Sequence, residues 1–491
     1  MTVISFIEVF QWVFLAYFVI LNGVYLILNV VALVSIRRQA AASIVTNDPG
    51  LTQRLYIPIS IIVPAYNESG TISEVIRSLL QIEYPEFEIL VINDGSRDDT
   101  LAVMQKDFSL RLFPEAYRVR LQSQPVRAVY RSTVYPNLRV IDKLNGGKAD
   151  STNVGINAAR YPVFGVIDAD SVLQRDSLRL AIRPFLDDPT TVAAGGTIRI
   201  LNGCRVQGGF VESVDLPRHP LATFQVVEYL RAFLLGRMGW SPMNALLIIS
   251  GAFGLFRKET VVAAGGFRAD TIGEDMELVV RMHRLLRAQK RPYRIAYVPE
   301  PICWTEAPED LGTLARQRIR WQRGLIESLK LNLSLLFNVR AGSVGMLAFP
   351  FFLLIECLGP VFEVLGFLLL LVAALIGVLS VESFLLVTAL SVALGVLLST
   401  SSFLFEQMSF RIYPRLGQTL KLFFYAVIEN FGYRQLNSIW RMYGTWLHLR
   451  RIPAVWGEMK RVGSWGGDRP TAGKAPASAP ATGSKSPLRS P

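Results

Sequence analysis

The sequence predicts an α/β domain with a mainly parallel sheet, set between α-helical membrane segments. Three observations carry this. The apolar excess of a 491-residue chain with mean hydropathy +0.34 gathers towards its two ends. The middle, from about residue 57 to 338, has ordinary globular composition. Within it, short apolar runs alternate with helical periodicities, as in a parallel sheet covered on both faces.

Residues Trp12 to Ile36 are 25 positions without a charge. That length crosses a hydrocarbon core of roughly 30 Å. Arg37 and Arg38 follow the run, whereas a cleaved signal peptide carries its positive charge before a shorter one. Residues 1–40 are therefore expected to be an uncleaved anchor with its N-terminus outside.

Ile59 to Val63 reads as the first strand, apolar except for Ser60. A helix follows from Thr71, with Thr71 and Glu74 spaced as a capping box. Ile72, Val75, Ile76, Leu79 and Leu80 fall on one face of it. Phe87 to Ile92 is the second strand, apolar except for Glu88. It runs into Asn93-Asp94-Gly95-Ser96, and Asp98-Asp99-Thr100 can cap the next helix. Phe108 to Asn137, rich in Arg, Tyr and Val, reads as a hairpin or loop excursion of unassigned role. Leu138 to Ile141 and Val163 to Ile167 are further strands, with a helix from about Ala149 to Ala159 between them.

The net charge of +12 raises nucleic acid as a partner. Many Lys and Arg, however, lie beside apolar segments, as at Arg37–Arg38 and between Arg434 and Arg461. That placement fits the positive-inside bias and anionic lipid, and no nucleic-acid partner is expected. Cys204, Cys303 and Cys357 are far apart, follow no metal spacing and read as reduced structural thiols. No Gly-x-Gly-x-x-Gly follows the first strand, and there is no Gly-Lys-Ser/Thr phosphate loop, which argues against dinucleotide oxidoreductases and P-loop enzymes.

Ligands of such sheets bind beyond the carboxyl ends of the strands. Tyr66-Asn67-Glu68, Asp94 and Asp168-Ala169-Asp170 sit at those ends. The paired carboxylates of Asp168 and Asp170 suit a hard divalent cation that shares oxygen ligands with substrate phosphates.

Six segments occur in order: Pro64-Ala65-Tyr66-Asn67-Glu68, Asn93-Asp94-Gly95-Ser96, Asn145-Gly146-Gly147-Lys148-Ala149-Asp150, Asp168-Ala169-Asp170-Ser171, Gly273-Glu274-Asp275 and Gln317-Arg318-Ile319-Arg320-Trp321. Together they resemble the inverting family-2 glycosyltransferases of the polymer-synthase type, which include poly-N-acetylglucosamine, chitin, hyaluronan and cellulose synthases. The resemblance covers about residues 58 to 330. It implies a Rossmann-like GT-A domain over 55–310, a UDP-sugar donor, Mg²⁺ or Mn²⁺, and a growing polysaccharide as acceptor. Tyr66, Glu68 and Asp94 are similar to the uridine and ribose pocket, and Lys148 is placed to meet the nucleotide. Asp168 and Asp170 match the metal motif, with Asp170 the more direct ligand. Asp275 matches the general base, which a sugar hydroxyl needs at neutral pH. Glu274 is an acceptor contact or a support for Asp275. Gln317, Arg320 and Trp321 match the Gln-x-x-Arg-Trp motif of processive members, with Arg320 for the diphosphate and Trp321 for the acceptor sugar. Ser250 and Gly251 match the acceptor-binding loop. Trp456-Gly457 resembles a gating segment (450–465) in which Lys460 or Arg461 would meet the donor.

Residues 311–340, with Arg316, Arg318, Arg323 and Lys330 among apolar positions, read as an amphipathic interfacial helix. Residues 341–449 read as a transmembrane or channel region. Glu356 and Glu363, in its first apolar stretch, are expected to line a glycan path. Leu420 to Leu449 is apolar but interrupted, and fits an interfacial helix, a re-entrant pair or an additional span. Residues 466–491 read as a disordered tail. If Trp456 reaches the active site, the chain crosses an even number of times after residue 340. The expected setting is the inner (plasma) membrane, multi-pass, with the catalytic domain cytoplasmic. Beyond the bilayer, accessory membrane or export subunits are candidate partners.

The expected reaction is processive transfer from a UDP-sugar to a β-linked polysaccharide coupled to export. The segments Ile249–Gly254 and Gly273–Asp275 resemble the poly-N-acetylglucosamine group and favour UDP-N-acetylglucosamine. The alternative is addition of one sugar to a lipid-linked acceptor. A non-enzymatic transporter would not need Asp94, Asp168, Asp170 and Asp275 together.

Overall fold

A computed structural model describes residues 3–46 and 56–452 of the chain. Trp456, Lys460 and Arg461, residues 453–465 of the expected gating segment and the C-terminal tail lie outside the described residues.

A ten-stranded mixed sheet forms the centre. Its first strands are β1 (Ile59–Ala65), β2 (Phe87–Asn93), β3 (Leu110–Leu112), β4 (Val126–Ser132), β5 (Leu138–Lys143) and β6 (Val163–Ile167). β7 (Val172–Leu173), β8 (Thr191–Ile200), β11 (Phe253–Arg257) and β12 (Arg294–Thr305) complete it, and β9 (Arg205–Gln207) pairs with β10 (Phe210–Ser213) in a separate hairpin. The order is β3-β4-β5-β2-β1-β6-β11-β8-β12-β7. β5, β2, β1 and β6 are mutually parallel, and β8 is parallel to β12. β4, β11 and β7 run against their neighbours. The expected strands are therefore present, in a sheet whose strands mostly point one way.

Alternation along β1 explains why it is apolar on both sides. Ile59, Ile61 and Val63 enter one core layer, with Val75 and Leu79, while Ile62 enters the other, with Val154 and Ile156. The polar exceptions meet one another. Ser60 donates to Glu88 at 2.6 Å, and Arg139 of β5, 2% exposed, holds Glu88 at 2.6 Å and Glu115 at 2.8 Å. Glu115 belongs to the Phe108–Asn137 excursion, which extends the sheet edge as β3 and β4 and covers this buried arginine.

The Thr71–Glu74 capping box does not form. The Ile72–Leu80 helix starts there, but the Thr71 hydroxyl donates to Glu68 at 2.8 Å instead. Asp98, rather than Asp99, serves the next helix, accepting from the Thr100 N–H at 3.0 Å.

Among the described residues, two helices are long and apolar enough to cross a membrane, Trp12–Arg38 and Val381–Ser409, and a bent pair, Val344–Cys357 with Gly359–Leu375, makes a third if it is one span. The pair bends by 42°. Leu420 to Leu449 is not one continuous helix: it breaks at Gly432 (φ 103°) into the helices Leu416–Ile428 and Tyr433–Leu449. The Leu311–Leu331 helix also departs from expectation. A peripheral interfacial helix would keep its cations in water, yet Arg318 is 1% and Arg323 8% exposed. Arg318 is buried because Glu228 pairs with it at 2.6 Å, and Arg323 because it donates to the Ile452 carbonyl at 2.6 Å.

Candidate active site

The parallel quartet β5-β2-β1-β6 delivers Asn145, Asp94, Tyr66 and Asp168 to one edge of the sheet, because Ala65 lies beside Asn93 and Asn93 beside Asp142. Asp94 is 3% exposed and both its oxygens are engaged. It accepts from Lys143 at 2.5 Å, from the Gly146 N–H at 2.9 Å, from the Gly147 N–H at 2.7 Å and from Asn145 at 3.2 Å. Gly147 has φ 86°, which a side chain resists, and that turn launches the Lys148–Ala158 helix. Lys148 is thereby aimed across the cleft. Its Nζ lies 2.5 Å from Asp168, 3.9 Å from Glu274 and donates to the Gly251 carbonyl at 3.2 Å.

Glu274 and Asp275 open the Glu274–Ala288 helix, where the dipole favours carboxylates. Asp275 is fixed by two backbone donors, the Gly251 N–H and its neighbour's Met276 N–H, each at 2.8 Å. A methyl on Gly251 would sit 3.1 Å from Lys148 Nζ and 3.2 Å from Asp275, so the loop needs a bare backbone there. Burial pushes the Glu274 carboxyl up to about 7, against the pull of Lys148. Burial alone would lower the Lys148 ammonium, but Asp168, Glu274 and Asp275 outweigh it and hold the group above the ordinary lysine range. Burial lowers the Arg320 guanidinium, and the same carboxylates with Asp170 counter that.

The Leu311–Leu331 helix is capped by Asp310, which accepts from the Thr313 N–H at 2.8 Å. From it Gln317, Arg320 and Trp321 reach the cleft. Trp321 is 39% exposed, with the Arg318 guanidinium 4.3 Å from its ring centroid and the Phe233 ring edge-on at 6.0 Å.

Every sequence-derived site residue that is described lines one cavity of about 1720 Å³: Tyr66, Glu68, Asp94, Lys148, Asp168, Asp170, Ser250, Gly251, Glu274, Asp275, Gln317, Arg320 and Trp321. The cavity continues past Phe233 and Arg237 to Glu356, Gly359, Pro360, Glu363 and Leu398 in the apolar helices. Residues that sequence reasoning missed also surround it. Lys143 anchors Asp94, and Glu228, Arg231, Arg237 and Arg441 line the wall. Glu228 and Arg237 flank an irregular, π-type turn over Leu230–Gly236 that no spacing announces.

Asp168 and Asp170 offer hard carboxylate oxygens two residues apart. No group of three or more metal-ligating side chains occurs among the described residues. That donor set fits a cation that completes its shell with diphosphate oxygens and water.

Two glycosyl transferase family 2 profiles match, one over residues 60–209 and a family group 2 profile over residues 163–398. A poly-β-1,6-N-acetyl-D-glucosamine synthase of Staphylococcus epidermidis is 30% identical over 267 residues, 54% of each chain. Its Staphylococcus aureus counterpart (strain MSSA476) is 31% identical over 268 residues, again 54% of each. The chain thus matches about half the length of these curated relatives. A solved mannosyltransferase of Pyrobaculum calidifontis, in complex with GDP-mannose and Mn²⁺, has 17% identity and TM-score 0.48, covering 83% of this chain and 99% of that one. Together the two matched stretches run from residue 60 to 398 and are glycosyl transferase family 2 domains, with helices apolar enough to cross a membrane towards both ends of the chain.

Proposed function

We propose that this chain polymerises a β-linked glycan from a UDP-sugar, UDP-N-acetylglucosamine first, and passes the product between its membrane helices. The observation that carries this is the single cavity running from Tyr66 and Asp94, past Asp275 and Trp321, to Glu356 and Glu363. A growing glycan leaving the acceptor site would occupy its far half. The names of the staphylococcal relatives support the sugar and the β linkage. The catalytic domain works on the cytoplasmic side of the plasma membrane, where nucleotide sugars are made.

Tyr66 and Glu68 face the nucleoside. Asp94 serves that pocket through the loop it holds, since its oxygens are engaged there. Lys148 and Arg320 meet the diphosphate, and Trp321 carries the acceptor sugar on its ring. Asp275, fixed by the Gly251 and Met276 N–H groups, takes the proton of the acceptor hydroxyl. The freed oxygen attacks the anomeric carbon, the bond to the diphosphate breaks, and UDP leaves with the electron pair. One displacement inverts an α-linked donor to a β-linked product. Asp170 and Asp168 would hold Mg²⁺ or Mn²⁺, which would supply charge neutralisation for the departing diphosphate. Glu274 keeps Lys148 oriented and stands beside the acceptor.

The test is UDP release by the purified, lipid-reconstituted protein with Mn²⁺, over a panel of UDP-sugars, with products sized on a gel. A long product from UDP-N-acetylglucosamine is expected. Single additions to a lipid acceptor would replace this reading with the non-processive one.

A further inference from the structure

The bend between Val344–Cys357 and Gly359–Leu375 leaves two backbone carbonyls without their helical donors. Pro360 has no N–H to give to Glu356, and the Val361 N–H turns to Leu358 at 3.0 Å rather than to Cys357. Two side chains take their place. Arg441 donates to the Glu356 carbonyl, and Gln322 donates to the Cys357 carbonyl at 2.8 Å. The two are joined, because Arg441 Nε donates to Gln322 Oε1 at 2.9 Å. Gln322 also donates to Thr445 Oγ1 at 3.1 Å, so its amide is fully used, and it is 1% exposed. Gly444 permits this closeness: a methyl there would lie 3.0 Å from the Ile319 carbonyl and 3.3 Å from Gln322 Cβ.

Gln322 directly follows Trp321, and Gly359, Pro360 and Glu363 at the bend line the far half of the cavity. We propose that Gln322 is a positioning residue that locks the bend of this cavity-lining helix to the helix bearing Gln317, Arg320 and Trp321. The acceptor platform and the path beyond it then move as one unit, which keeps the glycan seated between transfers. This rests on the processive reading above. Gln322 touches no reacting atom; it acts through the backbone it holds.

The experiment compares wild type, Gln322→Leu and Gln322→Glu as full chains in lipid. Gln322→Glu retains the oxygen that Arg441 grips and removes the donor to Cys357, so it guards against simple misfolding. Loss of the buried hydrogen bond to the Cys357 carbonyl, common to both variants, is expected to shorten the product about tenfold, with the KM for UDP-N-acetylglucosamine within about twofold of wild type. In parallel, spin labels on Met346→Cys and Leu375→Cys, with the three native cysteines changed to alanine, read the bend by their separation; that distribution broadens in both variants. Unchanged product length together with an unchanged distribution would overturn the proposal. So would a donor KM that rises in step with the shortening, which marks a general defect of the donor pocket. If wild type itself adds only one sugar, the processive reading falls, and the spin-label separation alone decides whether Gln322 holds the bend.

Discussion

Gly273 and Gly324 meet backbone to backbone: a methyl on Gly273 would lie 2.9 Å from the Gly324 carbonyl oxygen. This crossing sets the helix that begins with Glu274 and Asp275 against the helix that carries Arg320 and Trp321. Gly273→Ala forces them apart. The expected cost is about 1–3 kcal/mol of stability, with a rate loss of up to about 100-fold from misplaced groups. Thermal unfolding and UDP release on the same preparation check this, and a fully active Gly273→Ala protein would contradict the crossing.

Asp275 is gripped by two backbone donors and needs its charge only to take a proton. Asp275→Asn keeps the shape and removes the base. UDP binding by calorimetry stays near wild type while turnover falls about 10²–10⁴-fold. Normal turnover would remove Asp275 from the mechanism.

Lys148 sits among Asp168, Glu274 and Asp275, so Lys148→Met leaves carboxylates facing an incoming diphosphate uncompensated. UDP affinity is expected to fall about 10–100-fold, the worth of a charge-assisted hydrogen bond. Chelation with EDTA should abolish UDP release and Mn²⁺ restore it, and Asp170→Asn should raise the Mn²⁺ concentration for half-maximal rate. Release undiminished in EDTA would contradict the cation assignment.

Much of the sheet was legible because β1, β2, β5 and β6 are buried on both faces, and burial writes itself as apolar runs. Most of the ordered motifs placed the site residues for a related reason: they follow a strand end or open a helix, where local sequence dictates geometry, while Gln317, Arg320 and Trp321 fall on one face inside the Leu311–Leu331 helix. What the sequence hides is pairing at a distance. Nothing near Arg139 announces Glu88 and Glu115, and nothing near Arg318 announces Glu228, so Arg318 read as a solvated face of an interfacial helix. The Thr71–Glu74 spacing is equally blind to Glu68, which claims the Thr71 hydroxyl. The bend at Leu358–Pro360 is hidden likewise, since the side chains that satisfy it come from Gln322 and Arg441.

His283 makes stability depend on acid. It lies wholly buried on the Glu274–Ala288 helix, with Nε2 2.9 Å from the Leu246 carbonyl and Nδ1 2.6 Å from the Tyr293 hydroxyl. The Leu246 oxygen can only accept, so the ring is protonated on Nε2 and accepts from Tyr293 on Nδ1. Burial lowers this imidazole to about 4, with Arg287 adding to the effect. The unfolded chain takes up the proton near the ordinary value of about 6.5, whereas the folded chain refuses it until about pH 4. The stabilisation is therefore complete above about pH 6.5, declines by up to about 1.4 kcal/mol per pH unit below it, and stops declining near pH 4. His283→Asn should be less stable than wild type at pH 7.5, and its thermal unfolding should lose this share of the acid slope. Parallel wild-type and variant curves between pH 6.5 and 4 would show that His283 is not the group responsible.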